Sequence, residues 1–215
     1  MAVFTPVNRE SWEREPWFSH YFTHVPCTYS MTVSLDITPL RRGGYRLYPA
    51  MLYCLARAVN ARQEFRMACN ERGEVGWYDV VHPSYTVFHP ENETFSNLWT
   101  PYDPAYPAFL RAYQDTLAGW GSVTGVQPQP DMPPNTFPVS MIPWASFEGF
   151  NLNLQNGYDY LPPIFTMGRF RQEGERVLLP LAVQVHHAVC DGFHLSRLIA
   201  DVEALIAGET FRSLP

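Results

Sequence analysis

Val177-Leu178-Leu179-Pro180-Leu181-Ala182-Val183-Gln184-Val185-His186-His187-Ala188-Val189-Cys190-Asp191-Gly192-Phe193-His194 passes from an almost continuously apolar run into a dense cluster of ionisable groups. The apolar half reads as a buried strand. Beyond it, Leu195, Leu198, Ile199, Val202 and Leu205 recur at helical spacing. The cluster therefore sits at a strand-to-helix corner, where a buried scaffold can hold a side chain at the edge of a cavity. Alternation along the strand puts His187 on the face of Leu181, Val183 and Val185, and His186 on the face of Ala182 and Gln184. Asp191 and Gly192 then turn the chain, with glycine expected to permit a backbone conformation that a Cβ would oppose. An imidazole in an apolar recess suits proton transfer near neutral pH. It equally suits a hydrogen-bonded core position.

Upstream, Gln172 to Glu175 is expected to form a hairpin turn joining this strand to another near Ile164 to Arg171. Tyr48, Met51, Leu52, Leu55, Ala56 and Val59 define a strong amphipathic helix. Leu110, Tyr113 and Leu117 define a second, broken at Gly119 or Gly121. Cys27 to Ile37 alternates as a strand, strand-like pieces occur around Glu74 to Trp77 and Tyr85 to His89, and residues 11 to 23 suggest a short helix interrupted by Pro16. Pro39 to Gly44 reads as a loop, and the five prolines between 125 and 138 as a surface excursion before the core resumes at Val139. There are too few helices for a crossover after every strand. The pattern predicts an α/β (α+β) fold, a mixed β-sheet covered by helices, as a single domain over 1–215.

All 15 basic side chains are arginine, and the chain contains no lysine. That excludes Schiff-base and pyridoxal-phosphate enzymes, Gly-Lys-Ser/Thr phosphate loops and protein kinases, each of which needs a lysine at a defined position. A net charge of −6 with no basic run longer than Arg41-Arg42 argues against a nucleic-acid partner. The sequence has no Gly-x-Gly-x-x-Gly fingerprint. Cys27, Cys54, Cys69 and Cys190 form no Cys-x-x-Cys pair and read as reduced core residues. No run of 18 apolar residues and no leader-like N-terminus is present, so a cytoplasmic protein with no membrane contact is expected. His186, His187, Cys190 and His194 could be metal ligands, but alternation aims the two adjacent histidines apart, and no metal is expected. Cys190 beside a histidine is a further, less favoured nucleophile.

The string His186-His187-Ala188-Val189-Cys190-Asp191-Gly192 resembles the His-His-x-x-x-Asp-Gly signature of acyltransferases that use coenzyme A thioesters. Within that superfamily the chain resembles the trimeric chloramphenicol acetyltransferases nearly end to end. Arg14, Tyr21, Val25-Pro26-Cys27, Tyr48-Pro49, Asn60, Arg66-Met67, Thr86 to His89, Glu93 to Ser96, Ser140, Pro143-Trp144, Phe150 to Asn153, Pro163-Ile164, Thr166-Met167 and Gln172 to Gly174 follow in the family's order.

The resemblance implies an acetyl-CoA-dependent O-acetyltransferase acting on chloramphenicol or a related aryl alcohol, with antibiotic resistance as its setting and acetyl-CoA as a co-substrate rather than a tightly bound cofactor. His187 would be the general base and Ser140 the hydroxyl donor to a tetrahedral oxyanion, while Thr166 would hold a water. Asp191 would pair with Arg14 and brace the corner, rather than orient His187 as in a serine hydrolase triad. Tyr21, Cys27, Phe95, Leu152, Leu154 and Tyr158 would line the acceptor pocket, and Trp144, Arg169 and Phe170 the CoA side. In the family this pocket lies between subunits, which implies a homotrimer. His20 and Asn97 depart from the family's apolar residues and add hydrogen-bonding capacity toward the acceptor. A non-catalytic trimeric binder of small apolar ligands, or an enzyme with a different acceptor, is the alternative.

Overall fold

The computed structural model describes residues 2–153, 159–208 and 211. Its core is a seven-stranded mixed sheet. The strands of that sheet are β2 (Thr28–Asp36), β5 (His82–His89), β6 (Thr94–Trp99), β7 (Thr136–Met141), β8 (Ile164–Met167), β9 (Arg171–Glu173) and β10 (Arg176–His186). They lie in the order β2-β10-β8-β7-β5-β6, with β9 pairing the start of β10. The pairs β7–β8 and β5–β7 are parallel, and the rest are antiparallel. A smaller sheet joins β1 (Phe4–Pro6), β4 (Val75–Tyr78) and β3 (Met67–Cys69).

β10 is flanked on both edges and buried from Leu178 to His186, which is why its sequence is apolar at nearly every position. The helices are α1 (Glu15–Ser19), α2 (Thr38–Arg42), α3 (Leu47–Asn60), α4 (Tyr106–Trp120) and α5 (Gly192–Ala207). α3 carries ten buried residues from Pro49 to Val59 and packs on α4 and α5, so it belongs to the core rather than to a solvated face. Gly121 caps α4. The mixed sheet covered by helices is the expected fold class.

Four local expectations change. Pro16 occupies the first turn of α1, where its missing N–H costs nothing, and so starts that helix rather than interrupting it. A π-helical turn, His20–His24, follows directly. Residues 38 to 42 are helical, because Pro39 likewise sits in a first turn and Asp36 accepts from the Thr38 N–H at 3.0 Å. The strand expected from Ile164 to Arg171 is two strands, broken at Gly168. There Pro180 on β10 has no N–H to offer a neighbour, and a Cβ on Gly168 would lie 2.8 Å from Pro180 Cγ and 3.0 Å from the Ala145 carbonyl. The break carries Arg169 and Phe170 out of the sheet. Finally, the hairpin turn narrows to Gly174–Glu175, with Gly174 at φ 58°.

Candidate active site

The π-turn brings two consecutive aromatic residues onto two consecutive histidines. Tyr21 stacks face to face on His187, with ring centroids 3.9 Å apart and planes 9° apart, while Phe22 lies 5.7 Å from the His186 ring. Tyr29 meets His187 edge-on at 5.3 Å. Tyr29 pairs with Val185 across β2 and β10, so it shares the face that alternation assigned to His187. His186 is 1% exposed, and its Nδ1 accepts from the Ala188 N–H at 3.1 Å, which makes it a core residue in the Nε2–H tautomer.

His187 lies one residue beyond the end of β10. Its N–H donates to the Cys27 carbonyl at 2.9 Å. Its Nδ1 is buried without a hydrogen-bond partner among the described residues, so Nε2 is the nitrogen open to a substrate. Among the described residues no carboxylate orients the ring. Aromatic packing and the backbone do so instead.

Arg14 clamps the corner from 173 to 177 residues away. Nε donates to the Ala188 carbonyl at 2.9 Å, Nη2 to the His187 carbonyl at 3.2 Å, and Nη1 to Asp191 Oδ2 at 3.2 Å. Asp191 also caps α5, accepting from Phe193 and His194 N–H groups and from the His194 ring. Burial pushes its carboxyl upward, but the hydrogen bonds from Arg14 and His194 outweigh this and hold it below the usual carboxylate range. A Cβ on Gly192 would meet nothing within 4 Å and its φ is not positive, so this glycine is not required by the chain's own backbone. Cys190 is 1% exposed, and burial pushes its thiol up to about 12, which leaves no thiolate for nucleophilic attack near neutral pH.

Because the Asp191 carboxyl is depressed in the fold, its stabilisation is fully present above its unfolded value of about 3.9 and is lost as the pH falls through the lower folded value. Arg14→Val removes one cause of that depression together with two carbonyl clamps. The variant is expected to lose about 3 kcal/mol of stability, to begin acid unfolding at a higher pH than the wild type, and to lose activity. Acid titration followed by circular dichroism checks this. Wild-type behaviour in both respects would mean that the ion pair does not brace the corner.

Ser140 and Thr166 face each other across β7 and β8, and Thr166 in turn faces Ala182 on β10. The Ser140 hydroxyl makes no hydrogen bond among the described residues. This row is displaced from His187 by five residues along β10, about 16 Å of strand, and shares the face of Ala182 and Gln184 rather than that of Val185. Leu152 belongs with the row, since its N–H donates to Gln184 Oε1 at 2.8 Å beside a small cavity that Thr166 also lines. One chain thus splits the expected site, with Tyr21 and Cys27 beside His187, and Ser140, Thr166 and Leu152 elsewhere. Phe95 stands on the outer strand β6, 52% exposed. Leu154 and Tyr158 lie outside the described residues.

The residues expected on the CoA side, Trp144, Arg169 and Phe170, lie where two loops meet. Trp144 packs edge-on against Phe88 at 4.7 Å, the Arg169 N–H donates to the Ala145 carbonyl at 2.7 Å, and the Arg41 guanidinium lies 5.1 Å from the Phe170 ring centroid. Arg41 and Tyr29 went unrecognised as site residues in the sequence because only the Gly168 break and strand register place them, whereas His194, weighed in the sequence as a metal ligand, instead holds the Asp191 carboxylate. His20 is exposed, edge-on to Tyr21 at 4.7 Å, one ring away from His187. A cavity of about 610 Å³ lies at the far end of β10 beside Asp36, Arg42 and Arg176, remote from this chemistry. Among the described residues no three His, Cys, Asp or Glu side chains could hold a metal ion, and no helix is long and apolar enough to cross a membrane.

A solved chloramphenicol acetyltransferase superposes with a TM-score of 0.81 at 21% identity, over 95% of this chain and 100% of its own. The Azotobacter vinelandii dihydrolipoamide acetyltransferase superposes at 0.64 and 16% identity, over 93% and 88%. The chain has the fold of these acetyltransferases, and its family and its relatives at 52% identity make it an acyltransferase. The chloramphenicol acetyltransferase family profile matches residues 2–203. Proteins of that name from Clostridium perfringens and Clostridioides difficile are both 52% identical over 204 residues, covering 95% of this chain and 99% and 96% of theirs. The chain belongs to the chloramphenicol acetyltransferase family.

Proposed function

We propose that this protein transfers the acetyl group of acetyl-CoA to a hydroxyl of chloramphenicol, in a homotrimer whose active sites lie between neighbouring chains. The observation that carries the reading is His187, held by Tyr21 and Arg14, with its Nδ1 buried and no acidic partner among the described residues. His187 Nε2 accepts the proton of the acceptor hydroxyl as its oxygen attacks the thioester carbonyl. The tetrahedral oxyanion receives a hydrogen bond from a Ser140 hydroxyl, and collapse expels the CoA thiolate, which takes up the proton. Trp144, Arg169 and Phe170 form the CoA side, where the Arg169 guanidinium suits a phosphate.

The split of Ser140 from His187 within one chain supports a site completed by a neighbour. So do the exposed apolar side chains Phe88, Phe95 and Trp144, which neighbour one another, and Leu152 beside Thr166, a set that a monomer would have little reason to leave in water. Free thiol released from acetyl-CoA, measured with and without chloramphenicol, tests the reading. Acceptor-dependent release with stoichiometric acetylated product is expected. No release with chloramphenicol or a panel of aryl alcohols would favour a non-catalytic binder instead.

A further inference from the structure

The Asp191 carboxylate is gripped more tightly by His194 than by Arg14. Oδ2 lies 3.2 Å from Arg14 Nη1, long for a charge-assisted hydrogen bond, whereas Oδ1 lies 2.7 Å from His194 Nδ1. The Asp191 side chain is 39% exposed, and an ion pair so exposed holds its geometry weakly. The His194 ring sits on the first turn of α5, fixed by the helix backbone. At 2.7 Å from a carboxylate oxygen, Nδ1 must carry a proton, because two lone pairs at that distance repel. It therefore cannot also accept from the Asp191 N–H, 3.3 Å away, and only the imidazole-to-carboxylate half of that contact is a hydrogen bond.

We infer that His194 is a positioning residue for His187. The Nδ1–H donor of His194 turns the Asp191 carboxylate so that Oδ2 faces Arg14, and the aligned guanidinium then holds the His187 and Ala188 carbonyls. The relay runs from α5 to the N-terminal arm and back to the end of β10. It sets the backbone from which the His187 ring projects, and hence where Nε2 points. The inference rests on His187 as the base of the proposed reaction, but its structural step can be read without turnover.

The test compares His194→Ala with His194→Asn, whose amide N–H lies where Nδ1–H does. Loss of the donor is expected to lower kcat about tenfold, with both KM values little changed, and to shift the His187 ring resonances in a ¹H–¹⁵N NMR spectrum. His194→Asn should restore kcat to within about threefold and return those resonances. A purely capping role predicts a lower Tm with unchanged kcat and unchanged His187 resonances, and that result overturns the inference. Should the alanine variant fail to fold, His194→Gln, whose amide reaches a different point, replaces it, and equal kcat and spectra for Asn and Gln overturn the inference. A wild type inactive toward every acceptor defeats the proposed reaction alone, and the NMR comparison still decides the relay.

Discussion

Replacing His187 with alanine is expected to lower kcat for acetyl transfer by about 10³- to 10⁴-fold, the upper part of the range for losing a positioned general base. The groups flanking His187 in the signature are already committed. His186 is buried and uses Nδ1 on the Ala188 N–H, Cys190 is held as a thiol, and Asp191 is engaged with Arg14, His194 and the start of α5. The fold should survive, because the His187 ring packs against Tyr21 and Tyr29 alone among the described aromatic rings, and its other anchors, the N–H to Cys27 and the carbonyl to Arg14, are backbone groups. KM for acetyl-CoA is expected to stay within a few-fold. Cys190→Ala serves as the control and should retain activity. Steady-state kinetics on both variants checks this, and a His187→Ala enzyme within about tenfold of wild type would remove His187 as the base.

The second large effect concerns Ser140. Ser140→Ala should reduce kcat by about 10²- to 10³-fold, roughly 3 to 4 kcal/mol of oxyanion stabilisation. The sharper experiment mixes the two inactive proteins. If His187 of one chain works with Ser140 of its neighbour, denatured and co-refolded His187→Ala and Ser140→Ala chains regain activity. With random assembly of equal amounts, about one quarter of the sites in a closed ring combine an intact His187 with an intact Ser140. If each site is contained within one chain, no intact pair forms and the mixture stays inactive. The separation of the two residues in the single chain, about 16 Å along β10 and on opposite faces of the sheet, predicts the first outcome.

Legibility varied with how local the physics was. β10 was readable because a strand covered on both faces must be apolar on both, and α3 because its apolar residues recur at helical spacing. β6 was missed: Thr94–Trp99 mixes Ser, Asn and aromatic residues, and β5 rather than its own pattern holds it in place. β1 and β3 are three residues long, too short for any period to show. Pro16 and Pro39 were misread because proline stops a helix from within but starts one at its first turn.

What the sequence determined by itself was chemical identity: a histidine pair at a strand end, an aspartate at the turn into the next helix, and an absence of lysine that removes whole classes of enzyme. These follow from composition and short-range spacing. Tertiary structure alone decided how the groups divide their work. Tyr21 reaches His187 through a π-turn, Tyr29 through strand register, and Arg14 across more than 170 residues, while Ser140 is kept away from all of them. Alternation along a strand states which face a side chain takes, but what meets it there is set by packing between distant segments.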